Sequence, residues 1–311
     1  MKIKSIFIII LILSGISSTV SGQLYVGSMG GGIYISENFG KSWSIFTLPP
    51  YCINNFKFNP YVDDEILYCC TYDGLWKVSV QKPEKPVLLT GPNVIFVNDI
   101  CFDSENPETF FIAGMNGIFK TINNGKNWIE LNINSPVKYT TVIRYSKKIL
   151  LAGKEDGIYI STNDGNSWER RLPHKPIRCI LSVKGKLIAG TEDFGIYISD
   201  DDGKTWKSGN KGLNHHSVYS LARDPENGII FAGTYQGGIY KSLDYGKTWK
   251  QFENNLSTET ILGIAVYDGN IFASCFWKGL FRSTDDGLSF RYIGFASKEN
   301  YGISTILINR R

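Results

Sequence analysis

The segment GIYISDDDGKTW, residues 195–206, is one of six similar copies in this chain of 311 residues. Each copy places an apolar strand before a turn that contains a glycine and ends on an aromatic residue. A seventh segment, GLWKVSVQKPEK at 74–85, keeps the strand but lacks the turn. Successive turns begin 43, 42, 40, 38, 43 and 41 positions apart, at Ser36, Ser79, Thr121, Ser161, Ser199, Ser242 and Ser283.

This period predicts the blades of a β-propeller. A repeat of roughly 40 residues built from short strands is typical of that fold. Residues 218–252 show one full repeat, with apolar runs at 218–224, 228–234, 237–242 and 248–252. The apolar residues alternate or run continuously, as expected for strands that are packed on both faces. Each repeat is therefore expected to form a four-stranded blade.

The two ends of the chain supply the two halves of one blade. Residues 24–28, LYVGS, match the second strand of a repeat, whereas residues 303–308, ISTILI, match a first strand. Joining them closes the ring and removes its open edges. We therefore predict an all-β, seven-bladed β-propeller with four-stranded blades, whose first blade is closed by the C-terminal strand.

The turn follows the pattern S/T-x-D-x-G-x-S/T-W and resembles the Asp-box, or BNR repeat. This motif occurs in sialidases, xyloglucanase-type glycosidases, sortilin-type receptors and photosystem II assembly propellers. The resemblance covers essentially all of residues 23–311 and implies a propeller, but it does not by itself imply glycosidase activity. In layout the chain is similar to the photosystem II assembly factor type, which is non-catalytic and binds partner proteins. The arginine-rich partner patch of that type has no counterpart on the turns between second and third strands or on the connections between blades, so its photosynthetic role is not transferred.

The Asp-box is expected to stabilise its own turn and not to bind a metal. Its third residue is Asp in half of the copies and Asn in the others, and either side chain can accept bonds from backbone N–H groups. The turn also lacks the distal Glu of an EF-hand calcium loop. The closing aromatic ring should pack against its neighbour. The structural residues are Asn38 and Trp43, Asn123 and Trp128, Asn163 and Trp168, Asp201 and Trp206, Asp244 and Trp249, and Asp285 and Phe290.

Residues 1–22 have the pattern of a secretory signal peptide. Lys2 and Lys4 precede the apolar run IFIIILILSGI, and small residues follow it. The run is shorter than the ~20 apolar residues of a spanning helix, although a retained anchor is the alternative. We expect one domain, 23–311, that is secreted, periplasmic or on the cell surface, and monomeric. The mild net charge of +4 predicts no nucleic-acid partner, and no motif predicts a cofactor or a metal.

The face opposite the Asp-boxes is the expected binding surface. Chain direction places two sets of loops there, namely the turns between second and third strands and the connections between blades. Aromatic rings mixed with carboxylates suit a polypeptide or a sugar, although single rings can also pack locally. The candidate residues are Tyr72, Asp73, Glu155, Glu192, Asp193, Tyr235, His215, His216, Phe276 and Trp277.

Two functions are compatible with the sequence. One is an exported, non-enzymatic binding or scaffold propeller for a protein or a surface glycan at or outside the cell envelope. The other is a glycoside hydrolase that acts on an extracellular polysaccharide, which needs two carboxyl groups about 5–10 Å apart on the loop face. A sialidase is disfavoured because the chain has no R-I-P motif. The sequence identifies no catalytic residue.

The cysteines suggest one disulfide. All six lie after residue 22, and an exported chain permits disulfides. Cys52 precedes a first strand, and Cys70 ends the second strand that should pair with it. Antiparallel pairing would bring the two close together, so we expect a disulfide between Cys52 and Cys70.

Overall fold

The structure is a computed structural model, and it describes residues 23–28, 32–46, 52–62, 66–80, 85–91, 93–135, 140–146, 149–294 and 303–309. These residues form seven antiparallel sheets of four strands each and contain no helix. The predicted all-β, seven-bladed propeller is therefore confirmed. The predicted signal peptide at 1–22 lies outside the described residues and stays a prediction. The described part of the chain has no helix of the length and hydropathy that a membrane span requires.

Each sheet is one blade, and its strands follow one another from the ring axis to the rim. Blade 1 contains β28 (Ile303–Asn309), β1 (Gln23–Ser28), β2 (Ile33–Ser36) and β3 (Ser44–Phe46), and blade 2 contains β4 (Ile53–Phe58), β5 (Ile66–Thr71), β6 (Gly74–Ser79) and β7 (Val87–Leu88). Blade 3 contains β8 (Val97–Phe102), β9 (Phe110–Gly114), β10 (Gly117–Thr121) and β11 (Ile129–Leu131), and blade 4 contains β12 (Thr140–Ser146), β13 (Ile149–Lys154), β14 (Gly157–Ser161) and β15 (Glu169–Arg171). Blade 5 contains β16 (Ile177–Val183), β17 (Lys186–Thr191), β18 (Ile196–Ser199) and β19 (Lys207–Ser208), blade 6 contains β20 (Val218–Arg223), β21 (Ile230–Thr234), β22 (Ile239–Ser242) and β23 (Lys250–Gln251), and blade 7 contains β24 (Ile261–Tyr267), β25 (Asn270–Cys275), β26 (Gly279–Ser283) and β27 (Arg291–Gly294).

The C-terminal strand closes the ring as predicted. Strand β28 pairs antiparallel with β1, in a register that sets Ile308 opposite Leu24 and Thr305 opposite Gly27. Blade 1 thereby gains its innermost strand from the other end of the chain. Strands β9 and β25 show why the sheets stack, because every residue in each of them is buried. Apolar layers between neighbouring blades form the core.

The Asp-boxes form self-contained turns between the third and fourth strands. In the box at 199–206, the Ser199 hydroxyl donates to Asp201 at 2.8 Å and accepts from the backbone N–H of Gly203 at 2.8 Å. Asp201 accepts from the backbone N–H of Thr205 at 2.8 Å. Both Asp202 and Gly203 have positive φ, at 57° and 90°, so the left-handed bend spans two residues. These bonds hold the pKa of Asp201 down at about 2, chiefly through the Thr205 hydroxyl and backbone N–H.

Three of the closing tryptophans donate hydrogen bonds to the neighbouring blade, whereas Trp168 and Trp206 donate to Gly165 and Gly203 in their own turns. Trp43 donates from Nε1 to the carbonyl of Ile293 at 3.1 Å, and Trp128 donates to Leu89 at 2.9 Å. Trp249 donates to Gly209 at 2.9 Å and also to Gly246 within its own turn at 3.0 Å. Each bond partner outside the turn belongs to the preceding blade. In these three blades the box thus fixes both the hairpin and the contact between blades.

The expected disulfide between Cys52 and Cys70 does not form, and both residues are free thiols. A register shift after Ile53 places Cys70 opposite Asn55, which is three positions beyond Cys52. Cys70 is fully buried in the apolar layer between blades 2 and 3. Burial also raises the pKa of both thiols. Because Ile53 pairs with Thr71, even a regular register would place Cys70 opposite Asn54, and the bulge moves it one residue further from Cys52.

Candidate functional site

Two faces follow from the antiparallel order of the strands. The Asp-box turns lie on one face, which we call the box face. The turns between second and third strands, and the connections between blades, lie on the other face, which we call the loop face. All ten candidate binding residues lie on elements of the loop face or at its strand ends. A central channel of about 550 Å³ runs between the innermost strands.

Every innermost strand carries a register shift at its second residue. The shifts occur between Ile53 and Asn55 in β4, for example, and between Ile177 and Cys179 in β16. A β-bulge leaves one residue unpaired and re-aims its side chain, and bulges are common beside functional sites. The seven bulged residues surround the channel and are Asn54, Asn98, Thr141, Arg178, Tyr219, Leu262 and Ser304.

Four of these residues link neighbouring blades through hydrogen bonds. Asn54 donates from Nδ2 to the carbonyl of Val97, and Asn98 donates to Thr140, both at 2.8 Å. The Thr141 hydroxyl donates to the carbonyl of Ile177, and the Ser304 hydroxyl donates to that of Ile53. In each case the acceptor is the first residue of the next inner strand. The structure also describes the side chains of the other three bulged residues, and none of them makes such a bond. These residues are Arg178, Tyr219 and Leu262.

Arg178 instead joins two of the predicted carboxylates at the loop-face end of the channel. Its Nη1 donates to Glu155 Oε1 at 2.9 Å, and its Nη2 donates to Glu192 Oε2. Burial alone would lower the pKa of Arg178, but the hydrogen bond to Glu192 and the charges of both carboxylates raise it. The guanidinium belongs to blade 5 and Glu155 to blade 4. The cluster therefore holds two blades together with one cation and two anions.

A second cluster lies beside Arg178. The Tyr219 and Tyr235 rings pack edge to face with centroids 6.2 Å apart. Burial raises the pKa of Tyr219, and Glu192 adds to this effect. Next to Glu192, Asp193 Oδ1 accepts from the Ser217 hydroxyl at 2.5 Å. Tyr235 and Asp193 are thus brought to the same sector of the face as Glu155 and Glu192.

Other candidate residues form separate local pairs. Tyr72 packs edge to face on Phe96 at 5.1 Å, and the Trp277 ring lies 4.5 Å from that of Phe276. Asp73 accepts a hydrogen bond from the Thr71 hydroxyl at 2.7 Å, which fixes its own turn.

The two histidines differ in their surroundings. Nδ1 of His215 is hydrogen-bonded to the hydroxyl of the buried Tyr240 at 2.8 Å, and the ring packs against Gly237. That geometry gives His215 a structural role. His216 is exposed, and its carbonyl accepts a hydrogen bond from the backbone N–H of Gly195. His215 therefore helps to shape the loop face, whereas the His216 side chain is open to solvent.

Exposed apolar side chains recur at equivalent turns of the loop face. Tyr72 is 56% exposed, Tyr235 46% and Trp277 63%. The corresponding turns of blades 3 and 5 present Met115 and Phe194, and the Lys175 ammonium lies 3.7 Å from the Phe194 ring centre. In blade 4 the turn carries Glu155 and Asp156, and the turn of blade 1 lies partly outside the described residues. Large, exposed side chains therefore recur on equivalent turns of the loop face in five of the described blades.

Lys154 departs from the repeat at the end of a second strand. The same position holds Thr71, Thr191 or Thr234 in blades 2, 5 and 6, and each hydroxyl donates to a carbonyl of the following turn. Lys154 is instead fully buried, with Nζ 3.2 Å from the Thr140 hydroxyl. Burial lowers its pKa to about 8, although the charge of Asp156 opposes this effect.

Sequence reasoning missed Arg178 and Tyr219 because both lie inside predicted strands. A signal for them existed in the aligned first strands. The second residue is polar in most of these strands, although that position precedes a run of core residues. Such a polar column in an otherwise apolar strand indicates a side chain that faces the channel.

The carboxylate geometry also limits hydrolytic chemistry. Glu155 and Glu192 both accept hydrogen bonds from one guanidinium. A glycosidase pair needs one carboxyl group that carries a proton for the leaving group. A carboxylate that accepts hydrogen bonds from arginine is engaged in positioning that cation. This pair therefore fits a structural or binding role better than an acid–base role.

Comparison with known proteins identifies the repeat. The profile of the family described as Photosynthesis system II assembly factor YCF48 matches residues 82–261, which is more than half of the chain. No sequence among curated proteins matches the chain significantly.

Solved structures share the fold at low sequence identity. YCF48 bound to a D1 peptide is 15% identical, with a TM-score of 0.64 over 84% of this chain and 88% of that chain. An ancestral GH74 enzyme is 16% identical, with a TM-score of 0.62 over 86% of this chain and 52% of that one. An extracellular domain from B. thetaiotaomicron is 17% identical, with a TM-score of 0.70 over 85% of this chain and 37% of that one. The chain thus spans about half, or less, of the last two structures. Likenesses at this level of identity establish the propeller fold alone.

Proposed function

The chain belongs to the Photosynthesis system II assembly factor YCF48 family, and from that premise we propose that it is an exported, non-enzymatic binding or scaffold propeller. Its ligand is a polypeptide partner at or outside the cell envelope. The partner binds to the loop face, around the mouth of the central channel. The propeller acts by holding this partner and carries out no chemical step.

The recurrence of exposed large side chains on equivalent turns is the observation that carries this proposal. Tyr72, Met115, Phe194, Tyr235 and Trp277 come from five blades, and all are exposed large apolar side chains. Large aromatic anchors with polar neighbours are typical of protein-binding surfaces. Their neighbours here include the Arg178 cluster and Asp193. A family relative, YCF48, has been solved with a D1 peptide, which supports a polypeptide ligand.

The partner can be captured by photo-crosslinking from chosen positions. A photoreactive amino acid replaces Tyr235 or Trp277 on the loop face, and Leu243 or Leu288 on the box face. The leucines are matched controls because they are 73% and 77% exposed. We expect one polypeptide to be captured from both loop-face positions in an envelope fraction, and unlabelled wild-type protein to compete for it. Capture only from the box face, or no competition, would overturn the proposal.

Glycoside hydrolysis remains the rival function. Its test is release of reducing ends from extracellular polysaccharides by wild type and by Glu155→Gln and Glu192→Gln variants. We expect no turnover by any of the three proteins. Turnover that is lost in one glutamine variant, with cooperative unfolding retained, would replace the binding function with a hydrolytic one.

A further inference from the structure

A cationic pocket lies where blade 7 meets blade 1, beside the first Asp-box turn. Its volume is about 470 Å³, and three of its lining residues are Lys41, Arg282 and Arg291. Phe39 and Tyr292 add aromatic walls. The remaining lining residues are glycine or isoleucine, so the described lining contains no acidic group. We call this site the junction pocket.

Arg282 is the most enclosed of the three cations. Its Nε donates to Asn270 Oδ1 at 2.8 Å, and Nη1 contacts the carbonyl of Phe39 at 3.4 Å. Its guanidinium lies 5.1 Å from the Phe39 ring centre and 5.9 Å from that of Phe272. Burial lowers its pKa. Within the described ranges, no carboxylate forms an ion pair with Arg282, Arg291 or Lys41.

The junction of blades 3 and 4 has an ion pair at the positions that Arg282 and Phe39 occupy. Lys120 directly precedes the first Asp-box residue of blade 3, as Arg282 does in blade 7. Asp164 is the fourth residue of the next Asp-box, as Phe39 is in blade 1. Lys120 Nζ lies 3.9 Å from Asp164 Oδ2. Compared with that junction, the junction of blades 7 and 1 has a phenyl ring in place of the carboxylate and keeps the cation. It also has Lys41 where blade 4 has Asn166, and Arg291 where blade 3 has Ile129.

We infer that the junction pocket binds a phosphate or sulfate group that is carried on a larger molecule. Arginine presents its N–H donors in a planar fork that matches the oxygens of such groups. The bound oxyanion would take the place of the carboxylate that Asp164 provides in blade 4. The pocket is larger than a bare oxyanion, and the Phe39 and Tyr292 rings are placed to contact the attached body. This site lies apart from the loop face and does not depend on the function proposed there.

Direct titration tests the inference. The probes are inorganic phosphate, inorganic sulfate, phenyl phosphate, and phosphatidylcholine vesicles with or without phosphatidylglycerol. Binding is followed by amide chemical shifts for the soluble probes and by co-sedimentation for the vesicles. We expect saturable shifts at Phe39, Gly40 and Gly294, with phenyl phosphate tighter than phosphate. Binding to the phosphatidylglycerol vesicles alone would identify a lipid headgroup as the source of the oxyanion, and binding to phenyl phosphate but not to the vesicles would identify a soluble one.

Three variants make the test specific. Arg282→Gln should weaken binding at least tenfold, and Phe39→Asp should abolish it because the new carboxylate pairs with Arg282. Lys120→Gln is the matched control at the other junction and should bind like wild type. Phe39 also packs against the core, so the Phe39→Asp protein could fail to unfold cooperatively. In that case Arg291→Gln takes its place in the test, and this variant should weaken binding severalfold. The inference is overturned if wild type shows no saturable binding to any probe, or if Arg282→Gln binds as tightly as wild type.

Discussion

Arg178 in blade 5 donates from Nη1 to Glu155 in blade 4 at 2.9 Å, across the boundary between two repeats. The same guanidinium also holds Glu192 of its own blade. At this position the inner strands of blades 3 and 4 carry Asn98 and Thr141, whose side chains donate to backbone carbonyls of the next blade. Blade 5 thus makes a charged link back to blade 4, while its bulged residue makes no backbone link forward to the described residues of blade 6. The pairing ties the stability of the ring to the side chains of the candidate binding surface.

Replacing Arg178 with Met should lower the free energy of unfolding by about 1.5–3 kcal/mol, which is the usual loss for a hydrogen bond to a charged group. The two half-buried carboxylates would then repel each other without a cation. Urea unfolding midpoints measure the change. Adding Glu155→Gln and Glu192→Gln to Arg178→Met should recover much of the loss. An Arg178→Met protein as stable as wild type would show that the cluster has no stabilising role.

Acid should weaken the Asp-boxes that contain aspartate. Hydrogen bonds from Ser and Thr hydroxyls and from backbone N–H groups lower the pKa of Asp201 and of Asp285 to about 2. The ordinary pKa of an aspartate in an unfolded chain is about 3.9. The folded pKa is the lower one, so this stabilisation is complete above pH ~4 and is lost as the pH falls towards ~2.

A triple variant isolates this effect. Asp201→Asn, Asp244→Asn and Asp285→Asn together copy the residue found in the boxes of blades 1, 3 and 4. Between pH ~4 and ~2, the free energy of unfolding of the variant should fall less steeply than that of wild type. Chemical denaturation at several pH values measures both slopes. Equal slopes would mean that other carboxylates account for the acid sensitivity.

Removing one link between the inner strands should have a measurable cost. Asn98→Ala removes the bond to the Thr140 carbonyl and should destabilise the protein by about 1 kcal/mol. Asn116→Ala is the matched control, because its bond to the Asn93 carbonyl has the same length but is exposed. We expect a change within about 0.5 kcal/mol for that variant. Similar thermal midpoints for the two variants would argue against a stabilising role for the links between inner strands.

Lys154 should make stability depend on pH in the alkaline range. Its folded pKa is about 8, whereas an unfolded lysine has a pKa of about 10.4. The unfolded chain therefore binds more protons between these values, and stability should rise with pH across that window. Lys154→Thr, the residue of blades 2, 5 and 6, should remove this rise. Lys204→Thr, at an exposed position, should keep it, and a Lys154→Thr protein that retains the rise would refute the assignment.

Much of the architecture could be predicted from the repeat. The spacing from Ser36 to Ser283 predicted the blade count, and the matches at residues 24–28 and 303–308 predicted the closing strand. The roles of Asn38, Asp201 and Trp206 in the turns also follow from the pattern, because each box is local in sequence. Signals of this kind depend on residues that are only a few positions apart.

The arrangement of the loop face could be predicted only in part. The pattern identified Glu155 and Glu192 as candidates, but not Arg178, because a bulge decides that Arg178 reaches both of them. His215 looked available, yet its contact with Tyr240 depends on the path of a long connection between blades. The expected pairing of Cys52 with Cys70 failed because the sequence placed both cysteines at neighbouring strand ends but did not reveal the register, in which Ile53 faces Thr71.

The central claim is that the loop face binds a polypeptide. Its most direct test is the dissociation constant of the crosslinked partner, measured by titration calorimetry for wild type and two double variants. Tyr235→Ala with Trp277→Ala should weaken binding by about 10- to 100-fold, as expected when two aromatic anchors are lost. Leu243→Ala with Leu288→Ala on the box face should leave affinity unchanged. Unchanged affinity in the first variant together with a loss in the second would contradict the account.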